Sequence, residues 1–325
     1  MEKSDGGDRD RVLILDNPRA GTGERRRRLE DLVGELGARR MRVERISDVR
    51  DLRQRVEAAQ RMGDLRVVVA AGGDGTAQLL ANETPAGVAL TVYPMGTENL
   101  LSKYLGMSTE AKQFAEMISR GRTVTLDAGE ASGRIFLLMA GIGFDAAVVE
   151  AVHRARRGNI SHWNYAFPIL KTMWQYRYPR MRVQWEREGE GGAIDSGEAE
   201  TEWAFIFNLP VYAAGLRIPG EADGRDGQLD IRTFRGRTLA RGLFHLATIG
   251  CGCQGKWSGS DGFRASTYRI ELADGGEGSR RVPYQLDGDP AGELPVEIRV
   301  IPKRLRLMVP AGVGDDDLCL MPATV

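Results

Sequence analysis

Short apolar runs alternate with amphipathic segments along the first third of the chain. Four of these runs are predicted as buried or half-buried strands, over residues 11–17, 41–46, 66–71 and 88–93. Between them, apolar side chains recur at helical spacing, as in a helix predicted over 23–36. Ser47 and Asp48 predict the start of a second helix. Strands that alternate with helices predict a parallel sheet with crossover helices.

The pattern changes near residue 123, where extended segments separated by glycine-containing turns replace the alternation. A helix is predicted over 144–174, and the acidic, glycine-rich stretch 188–200 is predicted as an exposed hairpin loop. Strands are predicted over 123–131, 134–142, 180–186, 203–208, 228–234, 266–272, 296–301 and 305–309. These features predict an α/β domain over 1–122 followed by a largely antiparallel β-sandwich domain over 123–307.

Charge and composition narrow the classes of function. In this chain of 325 residues, 45 Lys and Arg balance 45 Asp and Glu, which argues against a dedicated nucleic-acid-binding protein. No apolar run approaches the roughly 20 residues that a membrane-spanning helix needs. The polar start of the chain has no apolar signal-peptide segment, so we expect a cytoplasmic protein. Cys251, Cys253 and Cys319 lack the spacing of a zinc site and are expected to be ordinary thiols.

Three small, polar turns follow strands of the predicted α/β domain. They are Asn17-Pro18-Arg19-Ala20-Gly21-Thr22-Gly23, Gly72-Gly73-Asp74-Gly75-Thr76 and Pro94-Met95-Gly96-Thr97-Glu98-Asn99. Glycines let backbone N–H groups approach an anion, and a following helix N-terminus adds partial positive charge. One such turn is equally well explained as a tight connection. Three turns at the carboxyl edge of one sheet predict a nucleotide-phosphate site, and Asp74 among the glycines suggests Mg²⁺ nearby.

In this order, the three turns resemble the signature of the diacylglycerol kinase catalytic domain. That family includes bacterial soluble lipid kinases and sphingosine and ceramide kinases, with NAD kinases as distant relatives. Further matches follow at Leu126-Asp127-Ala128-Gly129, Gly141-Ile142-Gly143-Phe144-Asp145-Ala146, Asp226-Gly227-Gln228-Leu229-Asp230, Leu286-Asp287-Gly288-Asp289-Pro290 and in the final strands. The resemblance spans about residues 11–310.

The resemblance implies an active site in the cleft between the two domains, with the last segment, about 308–325, returning to the first domain. Asp287 matches the family's general base, Asp289 a neighbouring acidic residue, and Asp127 an acidic member of the same network. ATP and Mg²⁺ would be held by Asn17, Gly21, Gly72, Gly73, Asp74, Gly75, Thr76, Gly96, Thr97 and Asn99. Taken alone, Asp287-Gly288 is better explained as a hairpin turn.

The family also has a structural Mg²⁺ site in its second domain. Here it matches the side chain of Asp226, with backbone carbonyls near Asp223 and Gln228. Ligation by oxygen alone suits a hard cation. The residues by themselves are equally compatible with an Asp-Gly turn before a strand.

Three positions depart from the family pattern. Leu100 stands where the family usually has an aspartate of an Asp–water–Mg²⁺ network. Gln78 and Leu79 replace a frequent Asn-Glu pair, and Ala20 replaces a serine. These departures bear on metal use and on catalytic competence.

Two further segments leave alternatives open. The four arginines at 25–28 either form a solvated face or bind an anion, such as ATP phosphate or a lipid headgroup. The segment 162–178 combines six aromatic residues with basic ones, which suits either a helix packed on the β domain or contact with a lipid–water boundary.

The resemblance implies an ATP- and Mg²⁺-dependent lipid kinase that phosphorylates a hydroxyl of a diacylglycerol-like lipid. We expect it to meet the lipid at the membrane surface and to bind no nucleic acid, and a homodimer is left open. Two alternatives are a catalytically impaired nucleotide- or lipid-binding relative and a kinase of a soluble substrate such as NAD.

Overall fold

The computed structural model describes residues 9–16, 23–155, 172, 174, 176–189, 192–211, 222–235, 260–273 and 281–313. The chain divides into two compact units, one of Met1–Leu126 with Lys303–Val325 and one of Asp127–Pro302. Several predicted features lie outside the described residues: Asn17, Gly21, the three cysteines, the end of the chain from 314 onward and most of the aromatic segment 162–178.

The first unit is an α/β fold. Its strands are β1 (Arg11–Asp16), β2 (Arg42–Ile46), β3 (Leu65–Gly72) and β4 (Ala89–Pro94). Its helices are α1 (Gly23–Ala38), α2 (Val49–Met62), α3 (Asp74–Glu83), α4 (Leu100–Tyr104) and α5 (Ala111–Arg120). The strands pair in parallel in the order β2-β1-β3-β4, and Arg306 and Leu307 of the last described strand pair in parallel with β4.

The local sequence explains these elements. The central strands β1 and β3 are buried along nearly their whole length, as expected for a parallel sheet covered by helices. Helix α2 begins after Asp48, whose side chain accepts the N–H of Arg50 at 3.0 Å, and ends at Gly63 with a φ of 73°. The parallel sheet predicted from the alternating pattern is confirmed.

The second unit is mainly antiparallel β structure. Strand β5 (Thr123–Ala131) leads into it, and the remaining elements are β6 (Arg134–Phe136), β7 (Met139–Ile142), α6 (Phe144–Ala155), β8 (Met181–Glu188), β9 (Ile194–Thr201), β10 (Trp203–Phe207), β11 (Leu229–Phe234), β12 (Ser260–Ala265), β13 (Thr267–Leu272), β14 (Pro283–Leu286), β15 (Asp289–Glu293) and β16 (Val296–Met308). One sheet has the order β12-β11-β10-β7-β14-β15. The other contains β9, β8, β13 and the start of β16.

Side chains from both sheets of the second unit form one buried core. It includes Ile206 and Ile231 from the first sheet and Tyr268, Ile270 and Ile298 from the second. Two antiparallel sheets that share one core form a sandwich. The predicted fold class, a parallel α/β fold followed by a largely antiparallel β fold, is therefore confirmed.

The strand predicted over 134–142 is wrong as a single element. The structure divides it into β6 and β7, which belong to different sheets. The break falls at Leu137 and Leu138, whose N–H groups donate to the side chain of Asp287 instead of to a neighbouring strand. Apolar composition alone does not reveal this break, because the acceptor lies far away in the sequence.

The loop predicted over 188–200 is also wrong in part. Residues Ile194–Thr201 form strand β9, which pairs in antiparallel register with β8. Its acidic side chains face basic ones across the pair, with Asp195 next to Arg187 and Glu198 next to Arg182. Cross-strand charge pairing supports an exposed strand whose composition resembles that of a loop.

Two more differences concern strands. The strands predicted over 296–301 and 305–309 form one strand, β16, because the left-handed conformation of Lys303 does not end the extended run. Strands β12, β14 and β15 were not predicted, since they contain glycine, proline or aspartate, which are disfavoured in strands. In the structure, Gly262 packs closely against the side chain of Arg232. A Cβ at position 262 would lie 2.0 Å from that guanidinium, so glycine is required there.

Among the described helices, none is long and apolar enough to cross a membrane.

Candidate functional site

Two of the predicted phosphate turns pack against each other through their backbones. A Cβ on Gly96 would lie 2.5 Å from the Cα of Gly73, and a Cβ on Gly73 would lie 3.1 Å from the Cα of Gly96. The N–H of Met95 donates to the carbonyl of Gly72 at 3.0 Å. Glycine at positions 73 and 96 therefore permits the close approach of the turns.

The first turn opens helix α3. The N–H groups of Thr76 and Ala77 donate to the carbonyl of Gly73, which begins the helix. Gly75 is exposed at this end. The positive end of the α3 dipole thus lies at the exposed turn that the sequence predicts to bind phosphate.

Asn99 shapes the second turn. Its Oδ1 accepts the N–H of Gly96 at 2.7 Å, and its Nδ2 donates to the carbonyl of Gly96 at 2.9 Å. Its backbone is left-handed, with a φ of 51°. Both ends of the Asn99 amide are thus engaged within the turn, while Thr97 is exposed. The structure assigns Asn99 to shaping the turn.

Asp74 connects the two turns. Its Oδ2 accepts the N–H of Leu100 and its Oδ1 the N–H of Leu101, each at 3.0 Å. These N–H groups begin helix α4, so Asp74 caps α4 although it belongs to α3. A carboxylate has about four acceptor positions. Its oxygen donors therefore suit Mg²⁺ as well as the two amides.

One residue of the arginine run supports the second turn. Arg28 donates to the carbonyls of Pro94, at 2.9 Å, and Thr109, at 3.3 Å, and its guanidinium lies 5.4 Å from the centroid of the Tyr93 ring. Arg26 is exposed and forms an ion pair with Glu30 at 3.4 Å. Arg28 therefore holds the second turn in place. This role differs from both predicted alternatives, a solvated face and anion binding.

Asp287 occupies a tight hairpin in the second unit. Asp287 and Gly288 link β14 to β15, and both are left-handed, with φ values of 51° and 87°. This is the geometry of a two-residue hairpin turn of type I′. The hairpin that the sequence favours for Asp287-Gly288 is therefore present.

The Asp287 side chain is held by three consecutive backbone amides. Oδ2 accepts the N–H of Leu137 at 2.7 Å, and Oδ1 accepts those of Leu138 at 2.8 Å and Met139 at 3.0 Å. The N–H of Asp287 donates to the carbonyl of Met139 at 2.9 Å. Hydrogen bonds to an ionised acceptor are stronger than neutral ones, so this carboxylate is firmly oriented.

Asp127 is buried, and a side-chain amide links its backbone to the segment Leu137–Met139 that holds Asp287. Oδ2 of Asp127 accepts the N–H of Gly227 at 2.8 Å, and its carbonyl accepts Nδ2 of Asn208 at 3.0 Å. The same Nδ2 donates to the carbonyl of Leu137 at 2.8 Å. Asn208 therefore joins the backbone of Asp127 to the amide segment that holds Asp287.

Asn208 was missed by the sequence analysis, as was Gln285, which lies beside the hairpin. Both are buried amides, each 2% exposed or less. The available signal was a polar residue at the end of an apolar strand, in Trp-Ala-Phe-Ile-Phe-Asn208, and one directly before Leu286-Asp287. Asp289 begins β15 at a half-buried position, and its Oδ2 lies 3.8 Å from Arg134.

The predicted structural metal ligands lie in one turn before β11. Oδ1 of Asp226 accepts the N–H of Gln228 at 2.9 Å, and Oδ2 lies 3.4 Å from Arg264. Asp223 forms an ion pair with Arg225 at 2.9 Å. Burial raises the pKa of Asp226, and the nearby carboxylates of Asp223 and Asp127 raise it further, while the Gln228 N–H and Arg264 oppose this shift.

This cluster has the hard oxygen donors that Mg²⁺ prefers, and the raised pKa of Asp226 reflects mainly the burial of its carboxyl group. In the part of the chain that the structure describes, no group of three or more His, Cys, Asp or Glu residues has metal-site geometry. The arginines beside Asp223 and Asp226 supply part of the neutralising charge. The metal assignment stays a prediction.

Family models match most of the chain. The diacylglycerol kinase catalytic domain matches residues 11–131, and the YegS C-terminal NAD kinase beta sandwich-like domain matches residues 139–309.

Individual relatives match over similar lengths. A diacylglycerol kinase from Mycobacterium tuberculosis is 27% identical over 312 residues, which cover 92% of this chain and 95% of that protein. A probable lipid kinase YegS-like from Pseudomonas aeruginosa is 26% identical over 313 residues, covering 94% and 96%. The crystal structure of a diacylglycerol kinase from Bacillus anthracis superposes with a TM-score of 0.62 at 18% identity, covering 94% of this chain and 98% of that chain.

Proposed function

The chain belongs to the family defined by the diacylglycerol kinase catalytic domain and the YegS C-terminal domain, and from that membership we propose that it is a lipid kinase. In this proposal it transfers the γ-phosphoryl group of ATP to a hydroxyl of a diacylglycerol-like lipid at a membrane surface. Two similar proteins are named diacylglycerol kinase and probable lipid kinase YegS-like, which supports this substrate class.

The observation that carries the proposal is the fixed carboxylate of Asp287. Three backbone amides orient it, and the hairpin holds its backbone. Phosphoryl transfer passes through a loose transition state that needs orientation and charge neutralisation more than covalent chemistry. A rigid carboxylate suits the task of orienting an acceptor hydroxyl and taking its proton.

We assign the steps as follows. The lipid oxygen bonds to the γ-phosphorus while the bond from that phosphorus to the bridging oxygen of ADP breaks. The hydroxyl proton passes to Asp287, and ADP leaves. The assignment of Asp127 and Asp289 to an acidic network around Asp287 is part of the proposal.

The nucleotide is assigned to the first unit. Backbone N–H groups of the turn around Gly73 and Gly75 would bind phosphate oxygens, with the turn of Gly96 and Thr97 beside it. Mg²⁺, when bound, would neutralise charge on the phosphates, and Asp74 is the residue that would hold it. We retain residues 1–122 as the nucleotide-binding part and 123–307 as the lipid-binding part.

The test is incubation of the protein with γ-labelled ATP, Mg²⁺ and a total lipid extract, followed by phase separation. We expect the label in the organic phase, on a lipid that bears one new phosphate. Label in the aqueous phase, on a polyol or on NAD, would instead support the alternative that the protein is a kinase of a soluble substrate.

A second candidate is a relative that binds nucleotide without transferring phosphate. It is favoured by Leu100, whose side chain replaces a carboxylate that the family usually has. This candidate predicts ATP binding with no label in either phase. Its test is Leu100→Asp, which should then create activity that the wild-type protein lacks.

A further inference from the structure

The buried side chain of Gln285, which is not among the predicted site residues, holds the backbone of the Asp287 hairpin. Oε1 of Gln285 accepts the N–H of Gly288 at 2.7 Å. Gln285 lies on β14 and is 2% exposed. It therefore fixes the peptide that follows Asp287, while the amides of Leu137–Met139 fix the carboxylate.

The orientation of the Gln285 amide is set from its other end. Nε2 of Gln285 donates to Oδ2 of Asp145 at 2.9 Å. Asp145 lies in the first turn of α6, where a negative charge is favoured by the helix dipole. A rotated amide would place its NH₂ group against the N–H of Gly288, a contact between two donors. The carboxylate of Asp145 therefore selects the rotamer in which the oxygen faces Gly288.

A glycine makes room for this pair. Gly141 lies opposite Gln285 in the ladder between β7 and β14. A Cβ on Gly141 would lie 2.2 Å from Oδ2 of Asp145 and 2.6 Å from Nε2 of Gln285. Any larger residue at this position would displace one or both of the hydrogen-bonded groups.

We propose that Gln285 and Asp145 are positioning residues that act on Asp287 through the hairpin backbone, with Gly141 as the space that they require. This inference rests on the proposed role of Asp287 in phosphate transfer. Asp287 holds a left-handed φ of 51°, a conformation that non-glycine residues seldom adopt. Loss of the Gln285 contact frees the adjoining peptide to rotate, and the carboxylate then moves relative to the acceptor hydroxyl.

The primary test compares Gln285→Met with wild type in steady-state kinetics on mixed micelles of diacylglycerol. Methionine has a similar length but lacks the amide oxygen that accepts the N–H of Gly288, and its thioether sulfur is only a weak acceptor. We expect kcat to fall about 100-fold, as small misplacements of a reacting group do, with the KM for ATP within about twofold. The matched control is Gln184→Met on the exposed strand β8, which should leave both constants unchanged.

The role of Asp145 is tested by a conservative pair. Asp145→Asn keeps an acceptor for Nε2 and should retain most of the wild-type kcat, whereas Asp145→Leu should lower it. The double variant Gln285→Met with Asp145→Leu should be no slower than Gln285→Met alone, since both act through one contact. Multiplied losses in the double variant would contradict the proposed chain of contacts.

Amide exchange provides a readout that does not depend on activity. The N–H of Gly288 should be protected in wild type and exchange at least about tenfold faster in Gln285→Met and Gly141→Ala, because local opening governs protection. Equal exchange of Gly288 in wild type and Gln285→Met overturns the positioning role, whatever the activity. If wild type phosphorylates no lipid while Gly288 exchange responds as expected, the proposed function fails and the positioning geometry stands.

Discussion

The carboxylate of Asp74 accepts the backbone N–H of Leu100 at 3.0 Å. At position 100 the family usually has an acidic side chain, so this chain keeps a backbone contact between the two turns and lacks the second carboxylate. Asp74 is therefore both a helix cap and the acidic side chain proposed to hold Mg²⁺. These two roles can be separated by mutation.

Replacing Asp74 by alanine should affect both stability and nucleotide binding. The variant loses two hydrogen bonds at the start of α4, and loss of a helix cap costs about 0.5–2 kcal/mol. Asp48→Ala removes the cap of α2, which follows the edge strand β2, and should cost a similar amount. Isothermal titration with ATP and Mg²⁺ should show weakened binding only for Asp74→Ala. Equal affinity for the two variants would remove Asp74 from the nucleotide site.

Substituting Gly96 by alanine should separate the two turns. The new Cβ would lie 2.5 Å from the Cα of Gly73, so the backbone of one turn must move. We expect ATP affinity to fall at least tenfold. The control is Gly34→Ala in α1, where the space around the Cβ is open and the helix should gain about 0.5–1 kcal/mol. Unchanged ATP affinity in Gly96→Ala would show that the packed turns do not bind the phosphates.

Introducing aspartate at Leu100 should restore a second carboxylate near Asp74. We expect the Mg²⁺ concentration for half-maximal activity to decrease, because hard oxygen ligands are added beside the proposed metal. Leu100→Asn has the same shape without the charge and should shift this concentration less. If activity depends on Mg²⁺ concentration identically in wild type, Leu100→Asp and Leu100→Asn, the residue at position 100 does not affect metal binding.

The raised pKa of Asp226 predicts how stability depends on pH. Because burial raises the folded-state pKa above the ordinary value of 3.8, the folded protein binds this proton more tightly than the unfolded chain does. The contribution of Asp226 to stability is therefore lost as the pH rises from about 4 through the raised folded-state pKa. Asp226→Asn should melt at a higher temperature than wild type at neutral pH in the absence of Mg²⁺.

Magnesium then discriminates between the two interpretations of this turn. If Asp226 binds Mg²⁺, the ion should raise the melting temperature of wild type and leave that of Asp226→Asn nearly unchanged. Equal Mg²⁺ responses in the two proteins would leave Asp226 as part of an Asp-Gly turn with Arg264 as its partner.

The sequence predicts the geometry of the turns well because that geometry depends on neighbouring residues. Gly73 and Gly96 follow directly on apolar strands, and parallel strands bring the ends of β3 and β4 to one edge of the sheet. One strand is predicted over 134–142 because hydrophobicity is continuous across Leu137. Its division depends on Asp287, about 150 residues away, and no local pattern contains that contact.

The buried amides were missed for a related reason. In the sequence, Asn208 is a single polar residue at the end of a short apolar strand, and Gln285 is one within such a strand. Residues at the exposed edge of a sheet produce the same pattern. Their roles appear only when strands β7, β10 and β14 are neighbours in one sheet. The roles of these two amides therefore follow from strand order and register, and residue type alone does not predict them.

The central claim is that the Asp287 carboxylate takes the proton of the acceptor hydroxyl. Asparagine tolerates the left-handed turn, but its NH₂ group would face the N–H of Leu137, a mismatch that costs about 1–3 kcal/mol. Activity must therefore be compared below the melting temperature of the Asp287→Asn variant. Asp195→Asn, on exposed strand β9, is the control for loss of a surface carboxylate.

The most direct measurement is phosphate transfer from labelled ATP to diacylglycerol by folded Asp287→Asn, with ATP affinity measured on the same sample. We predict that transfer falls at least about 1,000-fold, within the range of 10²–10⁴ that general-base catalysis contributes, while ATP affinity stays within twofold of wild type. Transfer within tenfold of the wild-type rate by the folded variant would contradict the account.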